Sequence, residues 1–182
     1  LGASIGLDNK IASLFPYLEN DRMLSEHRKR ATDVILRADV PDNWMGRFRK
    51  PAVEILQSMR NEYKVLLPTG RVPQDQYIQE MMQSRICVSP FGYGEICWRD
   101  FEAVAFGCLL IKPDMDHVES RPDIFRPFET YVPVKWDFSD LREKIGHYVR
   151  NESERMRIAS NARRVLSECI RPEWFAGVMR EL

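Results

Sequence analysis

The stretch that decides the fold runs from Ile86 to Lys112 and reads ICVSPFGYGEICWRDFEAVAFGCLLIK. Its apolar run Ile86-Cys87-Val88 breaks at Ser89-Pro90 into a turn carrying Gly92 and Gly94. A helical pattern then runs to Gly107, and Cys108–Ile111 is apolar again. The order is strand, glycine loop, helix, strand. A parallel crossover of this kind is right-handed, and in an open sheet it puts the loop and the helix N-terminus at the carboxyl edge, where ligands bind. Within the helix, Trp98, Phe101, Val104 and Ala105 recur at three- and four-residue intervals and form a packing stripe, while Glu95, Arg99 and Glu102 form a charged row. Ordinary surface pairing would explain that row at roughly 0.2–0.5 kcal/mol per pair. Its position favours a further role, because it starts where free backbone N–H groups attract a phosphate.

The segments Ser84–Pro90, Gly92-Tyr93-Gly94-Glu95, Arg99-Asp100-Phe101-Glu102-Ala103 and Gly107-Cys108 resemble the C-terminal, nucleotide-sugar-binding half of GT-B glycosyltransferases. The likeness is greatest to the exostosin-like and CgeB-like branches, with their Arg-x-x-Glu-Ala then Gly pattern. It covers about Tyr77–Asp116. The resemblance implies that the loop around Ser89, Gly92, Tyr93 and Gly94 holds a diphosphate and that Glu102 binds a ribose. It also implies that Glu95 and Arg99 act at the reacting end. In the widespread retaining pattern two glutamates are separated by seven residues. Counting back from Glu102 reaches Gly94, with Glu95 the available acid, so a retaining or an inverting outcome stays open.

The 182 residues suffice for one ordinary core. Lys+Arg and Asp+Glu number 27 each, so no overall field draws the chain to nucleic acid or an anionic membrane. No apolar run nears the ~20 residues of a membrane span, and no secretory leader pattern is visible. The chain opens on Leu1, as a piece of a longer polypeptide would. Cys87, Cys97, Cys108 and Cys169 contain no C-x-x-C pair and read as free thiols of a reducing cytosol; a cytoplasmic location is expected.

Residues 1–30 are weakly patterned and then strongly charged, and read as a leading linker or the remnant of a preceding segment. Residues 31–182 read as a Rossmann-like nucleotide-sugar-binding domain. Its first strand lies in Thr32–Ala38, and a helix over Pro51–Arg60 follows the lead-in Met45–Lys50. Arg37 and Arg47 flank that turn and are candidate diphosphate cations. Tyr63–Leu67 is the second strand and Gln74–Ser84 a helix with Tyr77, Ile78, Met81 and Met82 inward. Lys112, at the end of the fourth strand, is a phosphate or sugar candidate; His117 is a lesser one. Asp114 and Asp116 are too few to argue for a metal, and none is expected. A fifth strand spans Glu129–Val134, and the stretch Tyr131–Trp136 is expected to border the base. Pro172–Leu182 offers a last apolar segment that could cross to another half.

The expected architecture is a doubly wound parallel α/β sheet, Rossmann-like, forming one half of a GT-B enzyme. The expected function is glycosyl transfer from a nucleotide diphosphate-sugar to a glycan or other acceptor, with no cofactor beyond that donor. The acceptor-binding N-terminal half is expected elsewhere, so this chain is incomplete as an enzyme. One alternative is a non-catalytic Rossmann-like module binding a nucleotide or a partner. An NAD-dependent reading is weaker, because Cys97 stands where the dinucleotide fingerprint needs its third glycine.

Overall fold

A computed structural model of the chain describes residues 13–20, 22–25, 27–67, 70–120 and 123–169. Five strands form one parallel sheet: β1 (Thr32–Ile35), β2 (Val65–Leu66), β3 (Ser84–Val88), β4 (Leu109–Pro113) and β5 (Val132–Val134), in the order β2-β1-β3-β4-β5. Val34 lies opposite Val65 on one side and Ile86 on the other; Cys87 faces Leu110, and Lys112 faces Pro133. The order reverses between β1 and β3, so these strands diverge in connection at their carboxyl ends and leave a crevice there.

Both faces of the sheet are covered. Alternation along each strand sends Val34, Leu36, Ile86, Val88, Leu109 and Ile111 to one face. There they meet Ala52 and Leu56 of α3 (Trp44–Ser58) and Leu141 and Ile145 of α6 (Leu141–Arg150). Ile35, Cys87 and Leu110 point the other way, toward Met81 of α4 (Gln74–Met82) and Ala103 and Val104 of α5 (Trp98–Ala105). Leu166 of α7 (Glu152–Cys169) packs in the same layer. Such two-sided burial explains the near-continuous apolar runs of β3 and β4.

The helix after β1 begins earlier than its sequence suggests. Asn43 caps it, its side-chain oxygen accepting from the backbone N–H groups of Met45 (3.0 Å) and Gly46 (3.2 Å). Pro51 therefore lies inside α3 rather than at its start. The turn before the helix folds back closely: a Cβ at Gly46 would stand 1.7 Å from the carbonyl oxygen of Pro41. Only glycine permits that approach, which swings the loop after β1 over the carboxyl edge.

The described part of residues 13–30, expected as a linker or remnant, packs onto the domain. Leu14 and Leu18, flanking and ending α1 (Phe15–Leu18), are buried, and Tyr17 meets Phe106 edge to face at 4.8 Å. Arg163 of α7 donates to the carbonyls of Tyr17 (2.9 Å), Leu18 (3.0 Å) and Asn20 (3.2 Å), and to that of Ala105. Beyond α2 (Arg22–Ser25) the charged run is not all solvated, since His27 and Arg30 are buried. Arg30 donates to the carbonyls of Ser84, Met23 and Phe106, each at 2.6 Å. These guanidiniums supply donors to carbonyls that would otherwise be stranded at the ends of helices and strands and in turns. The expected segment Pro172–Leu182 lies outside the described residues.

Candidate functional site

At the carboxyl edge, the loop after β1, the first turns of α3, the loop Gly70–Val72, α4 and the cleft-facing side of α5 enclose a cleft of about 960 Å³. Its size is that of a small-molecule site. Arg37, Asp39, Arg49, Tyr77, Tyr93, Arg99 and Glu102 contribute its polar lining.

Two guanidiniums dominate it. Arg49, one turn beyond Met45 on α3, is buried and donates through Nε to the Phe91 carbonyl (2.8 Å) and through Nη1 to the Asp39 carbonyl (2.6 Å). Arg99, in the first turn of α5, donates to Ser89 Oγ (3.1 Å) and to the carbonyls of Arg37 (2.9 Å) and Pro90 (2.8 Å). It thereby ties the carboxyl ends of β1 and β3 together. Among the described residues neither guanidinium pairs with a carboxylate within 4.0 Å. Burial, and then the neighbouring charge of Arg99, pull the pKa of Arg49 below the ordinary arginine value. Two like charges held together with no carboxylate that close favour an anion between them.

Arg37, proposed from sequence as a diphosphate cation, is largely committed. It holds Glu80 in a bidentate pair, both hydrogen bonds 2.7 Å, although its remaining Nη1 is buried without a partner. Arg47 is exposed on α3 and does not line the cleft. With the helix starting at Asn43 instead of Pro51, the inward row contains Arg49, two residues on. The guanidinium that lines the cleft at this turn is therefore that of Arg49, whose inward phase does not show when 45–50 is read as a lead-in to a helix starting at Pro51.

Glu102 lines the cleft one turn beyond Arg99, and its carboxylate accepts from the Tyr77 hydroxyl at 2.6 Å. Burial first, and the adjacent Glu102 charge next, drive the phenol pKa far up, so Tyr77 remains a donor. Tyr77, read from sequence as inward packing, thus orients the carboxylate.

The glycine loop bends sharply, Gly92 N–H donating to the Gly94 carbonyl at 3.0 Å. A Cβ at Gly92 would come within 3.2 Å of Cys97 Sγ and 3.4 Å of Arg49 Nη2, so the loop can lie against that guanidinium only without a side chain there. Tyr93 projects into solvent at the cleft mouth, 88% exposed, and Gly94 is open.

Ser89 and Lys112 sit behind the loop. Lys112 is fully buried, its Nζ 2.6 Å from Asp100 Oδ2 and 2.8 Å from the Glu95 carbonyl, 4.3 Å from the centre of the Phe125 ring. Ser89 donates to the other Asp100 oxygen, and Cys97 N–H donates to Asp100 Oδ2 at 2.9 Å. Lys112 therefore does not line the cleft as expected from sequence. It alternates with Ile111 onto the α5 face and anchors the loop from beneath. The Asp100 carboxylate also occupies the Cys97 N–H at the start of α5, where the sequence suggested a phosphate would sit.

On the far side of the loop lies an aromatic cluster. Trp136 and His117 meet at 5.0 Å between ring centres, Trp136 and Phe91 at 5.4 Å, and Phe91 stacks on Phe48 at 5.5 Å. Glu95 is here, its Oε1 3.8 Å from His117 Nε2. Among the described residues no three metal-ligating side chains converge, and Asp114 accepts from the Asp116 N–H at 2.8 Å.

A family model described as "Glycosyl transferase-like" matches residues 47–169. Two solved structures share the fold. One is the C-terminal domain of a glycosyl transferase group 1 family protein, LpcC, from Francisella tularensis: TM-score 0.56, 13% identity, 82% of this chain and 92% of that chain covered. The other is Anabaena Alr3699/HepE in complex with UDP-glucose: TM-score 0.55, 13% identity, 93% of this chain and 55% of that chain covered. This chain thus spans about half the length of HepE. No curated protein matches the sequence significantly.

Proposed function

Since the chain belongs to the glycosyl transferase-like family, we propose that it is the donor-binding half of a GT-B enzyme and holds a nucleotide diphosphate-sugar in the carboxyl-edge cleft. The observation that carries this reading is the pair Arg49 and Arg99, two cations that have no carboxylate within 4.0 Å among the described residues, beside a loop that Gly92 lets lie against Arg49. A diphosphate supplies the missing negative charge, and arginine forks match its oxygens. Glu102, held by Tyr77, is placed one helical turn away and accepts from the ribose hydroxyls. The Arg-x-x-Glu-Ala pattern of α5 fits the exostosin-like and CgeB-like branches.

In the reaction, the bond between the sugar carbon and the diphosphate oxygen breaks and charge accumulates on the departing diphosphate. Fixed guanidiniums that bind this charge more tightly than that of the intact donor lower the barrier. The acceptor and its general base belong to a second half of the enzyme.

Calorimetric titration of the chain with UDP, GDP and ADP tests the reading. One of them should bind, and Arg99→Ala and Glu102→Ala should each weaken it by about tenfold or more. A folded chain that binds none of the three would overturn it.

A further inference from the structure

Trp136, His117, Phe91 and Glu95 lie outside the lining of the arginine cleft, and the chemistry of their cluster is specific. Trp136 is half exposed, and its position is fixed because Nε1–H donates to the Asp114 carbonyl at 3.2 Å while Phe91 and His117 abut the ring at near-perpendicular and steep angles. The imidazole of His117 stands against it, with the exposed acceptor Glu95 3.8 Å beyond and the exposed Asp116 next to His117 in the chain. An exposed indole that cannot turn away offers an apolar surface, and the acids beside it accept hydrogen bonds. The same acids repel phosphate and carboxylate ligands. The ligand that suits this combination is neutral, has an apolar face and carries hydroxyl donors at its rim, which describes a pyranose ring.

The place of the cluster identifies the source of that ring. Phe91 belongs to both regions: its carbonyl accepts from Arg49 in the cleft wall, and its ring touches Trp136 and His117. From there Gly92–Glu95 leads from the arginine pair to the Glu95 carboxylate within four residues. A group attached to a diphosphate seated on Arg49 and Arg99 reaches the cluster by crossing that loop. We propose that Trp136, with Glu95 and His117, forms the subsite for the sugar of the donor and determines which sugar is accepted. The proposal rests on the donor-binding reading above.

The test compares nucleotides with and without their sugar: UDP against UDP-glucose, GDP against GDP-mannose and ADP against ADP-glucose, by calorimetry and by the indole N–H resonances of ¹⁵N-labelled protein. Trp136→Phe identifies the Trp136 resonance. The diphosphate-sugar that binds should shift it, whereas its parent nucleotide should not. Trp136→Ala should weaken the diphosphate-sugar by roughly three- to tenfold and spare the nucleotide, Trp136→Phe should restore most of that loss, and Glu95→Gln should change the preference among sugars. Nucleotide binding with a sugar that neither moves the resonance nor feels Trp136→Ala would overturn the subsite and leave the donor-binding reading standing. A shift produced by free cellobiose without nucleotide would assign the face to an acceptor and overturn the donor assignment. Failure of every nucleotide would remove both readings together.

Discussion

Arg49 and Arg99 at the cleft, and Lys112 with Arg30 in the interior, are all buried or half-buried cations that reach backbone carbonyls, but they differ in what completes them. Lys112 has Asp100 at 2.6 Å, and Arg30 has three carbonyls around one guanidinium in a place no ligand reaches. Arg49 and Arg99 have carbonyls, each other and an open cleft. Burying a charge demands compensation, and the interior supplies it from the chain itself. At the carboxyl edge the described residues place no carboxylate within 4.0 Å of either guanidinium, and on the donor-binding proposal a ligand provides it. The side chain alone therefore does not distinguish a staple from a binding group; access to its remaining N–H groups does.

The comparison breaks most visibly at Lys112. Lys112→Met leaves Asp100 buried without its cation and should cost about 3–5 kcal/mol in urea unfolding, with Lys112→Met/Asp100→Asn recovering part of it. Equal stability of the single variant and the parent would mean that the interior is not matched as described. His27 sharpens the contrast through pH. It is buried beside Arg30 and Arg155, and burial first, then those charges, hold its pKa near about 3. The unfolded chain binds a proton near pH 6.5 that the folded chain refuses, so His27 has no effect above that pH and lowers stability as pH falls from 6.5 toward 3. The slope approaches about 1.4 kcal/mol per pH unit. His27→Leu should remove this part of the acid sensitivity in denaturant titrations from pH 7 to pH 4. The smallest stability effect belongs to Arg49→Met, within about 1 kcal/mol, because a like-charge neighbour is relieved as two hydrogen bonds are lost. The same variant should weaken inorganic pyrophosphate binding about tenfold or more. A variant that melts far below the parent and still binds pyrophosphate would make Arg49 another interior staple.

The strands were legible because a sheet covered on both faces leaves uninterrupted apolar runs, and all five runs named from sequence are strands. The glycine loop and α5 were legible from Gly92, Gly94 and the spacing of Trp98, Phe101, Val104 and Ala105. What escaped was direction. Taking Pro51 as a helix start hid the Asn43 cap, and with it the phase that turns Arg49 inward and Arg47 outward. Lys112 followed an apolar run and so looked like its exit, but β4 continues to Pro113 and the strand period turns Lys112 toward Asp100. The one signal for that pairing was an aspartate beside the packing stripe of α5, one turn before the buried Ala103 and Val104. Partners brought together from distant segments, such as Tyr77 with Glu102 and Trp136 with Phe91, depend on the crossing of elements and leave no mark in local spacing.

The two outer strands bear on how the domain behaves in a crowded solution. A sheet edge is a template on which a second chain can zip, and long flat edges invite it. Here one edge is β2, two residues long, entered from the exposed Lys64 side of the turn. The other is β5, three residues long with Pro133 at its centre, where no N–H exists to donate outward. The same brevity that makes these strands marginal as secondary structure leaves a self-associating neighbour almost nothing to pair with, so five parallel strands are joined without offering a sixth place.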